Sequence, residues 1–299
     1  MKYPASLLPG DTICILSPAG KIDPELIERA ASVLTRWGLR PQISAYAADS
    51  HGRFASLREN RLHDFQNALL NPEVKAIFCS RGGYGAVQLL EDIAPEMIRN
   101  NPKWLVGYSD ITLLHAAFSR SEIISLHAPM AKQLAEHPDD EISGLIKAVL
   151  FGGRPKYRVS SHELNRCGTA SGRVVGGNLS VLSGLRGTPY DYSYDGAILF
   201  LEDIAEPLYK IDRMLYNLRL GGVFDRISGL VVGQFSDCPE DLSMEGTLYE
   251  RIREMVKSYH FPVCFDFPCG HVDFNVPLPV GANATFEVTD KEAALCFLE

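Results

Sequence analysis

Short β-branched and apolar runs alternate with helical patterns through the first half of the chain. This alternation restricts the fold more than any other feature, because strand–loop–helix repeats close as βαβ units around a parallel sheet. Residues Thr12–Leu16 predict a strand, Ser17-Pro18-Ala19-Gly20 a turn, and 24–37 a helix with Asp23 at its N-cap. A strand near 42–44, a helix across 57–70 and a strand at 74–79 follow. After Arg81-Gly82-Gly83-Tyr84-Gly85 a helix is expected to about residue 93. The strand 104–106 then meets Gly107-Tyr108-Ser109-Asp110, with a further helix to residue 118. Three or more such units in about 110 residues is the density of an open α/β sheet.

The second half has a different grain. Phe151-Gly152-Gly153-Arg154-Pro155 stops the helix expected over 140–150 and reads as a connection, dividing the chain into domains 1–150 and 151–299. Beyond it, strands at 172–175, 197–201, 230–235, 263–267 and 284–288 are separated by Pro- and Gly-rich stretches and by helices at 208–218 and 247–259. The expected fold is therefore an N-terminal open, mostly parallel α/β domain plus a C-terminal mixed α+β domain, with the active site at their interface. A length of 299 residues suits two domains.

Composition narrows the chemistry. A 46% hydrophobic, 22% charged chain is of the globular class, and no apolar run approaches the ~18 residues that span a bilayer. The N-terminus lacks the long apolar segment of a secretory signal, so a cytoplasmic location is expected. A net charge of −8 without a basic cluster argues against nucleic acid, which needs several Lys or Arg on one face. Seven scattered cysteines, several inside apolar runs, read as buried reduced thiols. Cys264 and Cys269 match no usual zinc spacing, so neither metal nor cofactor is expected. Small-molecule or peptide chemistry remains.

Gly107-Tyr108-Ser109-Asp110 lies where a strand gives way to a helix, the setting of a nucleophile elbow, although Asp110-Ile111 departs from the G-x-S-x-G pattern. Plain helix capping by Ser or Asp is the alternative. A serine nucleophile needs a histidine base and a carboxylate that orients it. His271, in Cys269-Gly270-His271-Val272-Asp273, follows an expected strand; His127, after the expected strand 123–126, competes with it. For the carboxylate, Glu202 and Asp203 end a strongly apolar run; Glu206 already has a role at a helix start, and Glu202 is preferred. The 80–85 loop lacks G-x-G-x-x-G spacing and a P-loop lysine, which makes a dinucleotide-dependent oxidoreductase a poor fit. Its glycines would instead let backbone N–H groups approach an oxyanion, adding to the N–H of Asp110. Arg81 is a candidate for a substrate carboxylate, with a surface ion pair as its alternative.

Taken together, Ser17-Pro18-Ala19, Ser80-Arg81-Gly82-Gly83-Tyr84-Gly85, Gly107-Tyr108-Ser109-Asp110, Gly176-Gly177-Asn178-Leu179, Leu201-Glu202-Asp203 with Ile211-Asp212-Arg213, and Gly270-His271 resemble the LD-carboxypeptidase (muramoyltetrapeptide carboxypeptidase) family of serine peptidases. The resemblance implies Ser109 as nucleophile, Glu202 as orienting carboxylate and His271 as base, which decides against His127. It implies oxyanion-hole N–H groups from Gly83 and Asp110. It also implies a murein tetrapeptide substrate that loses its terminal D-alanine in cell-wall recycling, and a homodimer. The rival inside the family resembles the microcin C7 self-immunity peptidases, which cleave aminoacyl-nucleotide toxins and stack the base on a tryptophan in the second half of the chain. Here the only tryptophans are Trp37 and Trp104, although Tyr190 or Tyr192 is available to stack. A non-catalytic peptide-binding protein is the rival from another class.

Overall fold

The computed structural model describes residues 1–241 and 243–298. It divides into two compact units: Met1–Gly153 with Val276–Gly281, and Arg154–Asn275 with the chain from Ala282 onward.

The first unit is built on strands β1 (Thr12–Leu16), β2 (Arg40–Ile43), β3 (Val74–Cys79), β4 (Trp104–Gly107) and β5 (Ser125–His127). A late segment, Leu278–Val280 (β11), completes the sheet in the order β11-β5-β4-β3-β1-β2. All pairs are parallel except β11 with β5. Burial of every β4 residue and of five of six in β3 explains their continuous apolar runs, since helices cover both faces of a parallel sheet. The helices are α1 (Pro24–Arg36), α2 (Arg58–Leu70), α3 (Pro95–Asn100), α4 (Thr112–Arg120), α5 (Ala131–Glu136) and α6 (Glu141–Leu150). Helix α1 turns Ile27, Ala30, Val33 and Leu34 inward, and the Asp23 carboxylate accepts from the Glu25 N–H at 3.0 Å as its N-cap. The open, mostly parallel sheet expected from the sequence is present.

Where a helix was expected after Gly85, the chain instead forms 3-10 turns over Ala86–Asp92, with the Gln88 N–H donating to the Gly85 carbonyl at 3.1 Å. The strand expected over 123–126 lies at Ser125–His127, which puts His127 inside it.

The second unit holds β6 (Lys156–Ser160), β7 (Gly168–Asn178), α7 (Leu179–Leu185), β8 (Ile198–Ile204), α8 (Leu208–Leu220), β9 (Gly229–Ser236), α9 (Leu248–Met255), β10 (Val263–Cys264), β12 (Asn283–Val288) and β13 (Glu292–Phe297). Its sheet order is β10-β9-β8-β7-β12-β13-β6. Strands β7 to β10 run parallel, and β12, β13 and β6 add an antiparallel wing. The mixed character matches expectation, with the strands of the parallel half joined by the crossover helices α7, α8 and α9. The strand expected over 263–267 pairs only at Val263–Cys264, because Asp266 takes a positive φ of 60°. The chain still tracks β9, with Phe267 N–H donating to Val232 O and Gln234 N–H to Cys269 O. Among the described residues, no helix is long and apolar enough to cross a membrane.

Candidate active site

In the first unit β1 lies between β2 and β3, so strand order reverses there, and the loops leaving the carboxyl ends of β1 and β3 form the crevice where open α/β sheets bind ligands. Those loops are bonded to each other. The Ser17 hydroxyl donates to the Ala47 carbonyl at 2.6 Å and accepts from Ser80, whose Oγ is also 2.6 Å away. The Gly20 N–H donates to the Gly82 carbonyl at 3.0 Å.

Ser109 follows β4 with φ 64°, left-handed backbone that a non-glycine residue adopts at a cost of about 1–3 kcal/mol. Such a residue between strand and helix projects its side chain out of the sheet. The caps of the adjoining helical turns are Tyr108 and Ile111, neither of which caps its turn with a side-chain hydrogen bond, so capping does not account for the serine. Gly82 backs directly onto it: a Cβ there would lie 2.9 Å from Ser109 Cβ and 3.1 Å from its Oγ, a gap only glycine fits. Gly83, next in the loop, is exposed with φ 111°. Arg81 is half-buried and its Nη1 donates to the Lys21 carbonyl at 3.0 Å. The Asp110 carboxylate is buried and accepts from the Ala86 N–H at 2.8 Å. Burial pushes its pKa up to about 6, against the pull of the Ala86 and Gly85 N–H groups and of Arg61.

In the second unit, β8 slips its register against β9 between Leu201 and Asp203, and both acids at that point are buried. They do separate work. Asp203 accepts from Asn178 Nδ2 at 2.9 Å, Ser180 N–H at 2.8 Å and Ile204 N–H at 2.9 Å, tying the end of β7 to β8; burial pushes its pKa to about 6. Glu202 Oε2 lies 2.7 Å from His271 Nδ1. A carboxylate only accepts, so Nδ1 carries the proton and Nε2 is left as the basic nitrogen, the tautomer a general base requires. Gly270 makes the approach possible: with φ 123°, its Cβ would stand 2.8 Å from Glu202 Cβ. The backbone is held on both sides of the imidazole, with Gly270 N–H donating to Asn275 Oδ1 at 3.0 Å and Ser236 Oγ to the His271 carbonyl at 2.8 Å. The His271 side chain is 14% exposed.

The structure thus brings Glu202 and His271 together in the second unit, and groups Ser109, Asp110, Gly82, Gly83 and Arg81 in the first. His127, the competing histidine, lies buried in β5 with its ring edge-on to Tyr108 at 5.8 Å. Asn178 was read only as part of the Gly176-Gly177-Asn178-Leu179 stretch, without a role, and Asn275 and Arg61 were passed over. Arg61 left a signal, since it shares the stripe 61, 64, 65, 68 and 69 that α2 buries. Among the described residues, no group of three or more His, Cys, Asp or Glu is arranged to hold a metal ion.

Comparison with known proteins places the chain in the peptidase class. Residues 13–128 match the LD-carboxypeptidase N-terminal domain and residues 171–286 the LD-carboxypeptidase C-terminal domain. The chain belongs to the LD-carboxypeptidase family. It is 33% identical over 300 residues to the probable murein peptide carboxypeptidase of Bacillus subtilis, spanning 98% of this chain and 93% of that one. Its structure resembles that of the muramoyltetrapeptide carboxypeptidase from Oxalobacter formigenes with a TM-score of 0.89, 28% identity, and 96% and 99% of the two chains covered. The microcin C7 self-immunity protein MccF of Escherichia coli is a further relative, 26% identical over 328 residues with 97% and 94% covered.

Proposed function

We propose that the protein is a serine carboxypeptidase that cleaves the bond between the L-configured centre and the terminal D-alanine of murein tetrapeptide, in cell-wall recycling. Ser109 Oγ attacks the carbonyl while His271 Nε2 takes its proton, and Glu202 stabilises the resulting imidazolium. The Gly83 and Asp110 N–H groups receive the oxyanion, and Arg81 pairs with the substrate carboxylate. Collapse breaks the C–N bond, His271 returns the proton to the leaving D-alanine amine, and water then releases the tripeptide from Ser109 by the same route. Domain 1–150 carries the nucleophile and domain 151–299 the acid–base pair. The reaction requires no metal or cofactor, and we assign it to the cytoplasm and to a homodimer.

The observation that carries this reading is Ser109 itself, held in left-handed backbone at the crevice of a family whose members include carboxypeptidases. The oriented imidazole supports it. The toxin-cleaving alternative has less support: Trp104 is spent in the core, its Nε1 donating to the Ala5 carbonyl at 3.0 Å. Incubation with murein tetrapeptide, followed by mass spectrometry, is expected to release D-alanine. Release should vanish in Ser109→Ala and His271→Ala and fall by about a hundredfold or more in Glu202→Gln. Cleavage of an aminoacyl adenylate with no action on the tetrapeptide would transfer the assignment to the toxin-cleaving branch; binding without cleavage of either would leave a binding protein.

A further inference from the structure

Two buried charges in the first unit have no part in the proton transfers just described. Arg61, on α2, is 2% exposed, and its guanidinium is spent almost wholly on backbone. Nη1 donates to the Pro18 carbonyl at 2.7 Å and the Gly85 carbonyl at 3.0 Å, Nε donates to the Ser56 carbonyl at 3.2 Å, and Nη2 bonds Gln88 Oε1. The Phe54 ring lies beneath it, 5.0 Å from Cζ to the centroid. The fit is close: a Cβ on Gly85 would stand 2.7 Å from Nη1. The second charge is the Asp110 carboxylate, 4% exposed and bonded to the Ala86 N–H.

Their partners fall on three loops. Pro18 is in the loop after β1, Gly85 and Ala86 close the loop after β3, and Asp110 adjoins Ser109 after β4. Arg61 holds a carbonyl on each of the first two, while Asp110 holds the next N–H along the second. An isolated buried charge is strongly disfavoured, and a guanidinium with several donors in a rigid fork is suited to collecting carbonyls from separate segments. The bonds bracket Gly83, because Gly82 is fixed from the other side by the Gly20 N–H.

We propose that Arg61 and the Asp110 carboxylate are positioning residues, Arg61 fastening the Gly82–Ala86 loop to the loop after β1 and Asp110 fastening it to the Ser109 turn, presetting the Gly83 N–H for the oxyanion. The inference rests on the assignment of Ser109 as nucleophile. It gives Asp110 two duties, its N–H toward the substrate oxygen and its carboxylate toward the loop. Preset donors are worth most where charge develops in the transition state, so a loosened loop lowers turnover more than substrate binding.

The test compares wild type, Asp110→Asn, Arg61→Gln and Arg61→Lys for kcat and KM on murein tetrapeptide, and for the rate at which a fluorophosphonate labels Ser109. Its phosphoryl oxygen draws on the same N–H groups. Asp110→Asn keeps the backbone N–H and the side-chain shape but sets its amide NH2 against one of the two loop N–H groups, of Ala86 and Gly85, that bond the carboxylate, so it carries the test if Arg61→Gln does not fold. The expected result is a fall in kcat of about tenfold to a hundredfold in Asp110→Asn and Arg61→Gln, KM within about twofold, labelling slowed in proportion, and partial recovery in Arg61→Lys. Variants that label and turn over as wild type does, or that lose only thermal stability, would overturn the inference while leaving Ser109 in place. A wild-type enzyme that neither labels nor hydrolyses would overturn both.

Discussion

At the scale of single residues, adjacency in sequence says little about shared duty. Glu202 and Asp203 are neighbours, yet one meets an imidazole and the other fastens β7 to β8. Ser109, Glu202 and His271 were legible as candidates at the ends of apolar runs; the choice of His271 over His127 rested on resemblance, and the pairing of His271 Nδ1 with Glu202 Oε2 at 2.7 Å was not legible, since it joins residues far apart in the chain. Asn275 was not legible, since its contact with Gly270 depends on the fold of a loop without regular pattern. His115 makes a separate prediction. Buried behind the Ser109 turn, its Nε2–H donates to the Gly107 carbonyl at 2.7 Å and Nδ1 accepts from Ser125 Oγ at 2.8 Å; burial lowers its pKa from 6.5 to about 4. Between pH 6.5 and 4 the unfolded chain therefore gains a proton at this position that the folded one does not, and stability falls. Asp110 and Asp203, raised to about 6, act in the opposite sense as pH falls, so a variant is needed to isolate the histidine. In urea unfolding, the stability advantage of wild type over His115→Gln should shrink by about 2 kcal/mol from pH 7 to pH 4.5. An unchanged difference would refute the assignment.

At the scale of elements, what could be read from sequence was what local physics decides. Helix α1 announced itself through its acidic N-cap and inward stripe, and β1, β3 and β4 through apolar runs that the fold buries. Replacing Asp23 with Ala should cost about 1 kcal/mol by removing the bond to the Glu25 N–H, measured as a lower denaturation midpoint with unchanged peptidase activity. Strands β6, β11 and β13 were not legible. Lys156–Ser160 is a sheet edge with charged residues at alternate positions, and Glu292–Phe297 is built from alanines and a leucine that suit a helix equally well. Strand β11 has three residues with Pro279 at its centre, tolerated because an edge strand needs only one side's hydrogen bonds. Such segments become strands through the partner they find.

At the scale of the whole molecule, the chain passes between its two units three times, because Val276–Gly281 returns to complete the first sheet before the last two strands enter the second. A fragment ending at residue 153 would leave β5 as an open edge, and unpaired edges invite association. Expressed alone, it should self-associate on size-exclusion chromatography and unfold at a lower midpoint than the full chain. A monomeric fragment of full-length stability would show β11 to be dispensable. Domains emerging from a ribosome ordinarily fold in turn, the earlier before the later is made. Here the first sheet waits for β11, which follows most of the second unit, so a product cut off before Val276 leaves that sheet one strand short.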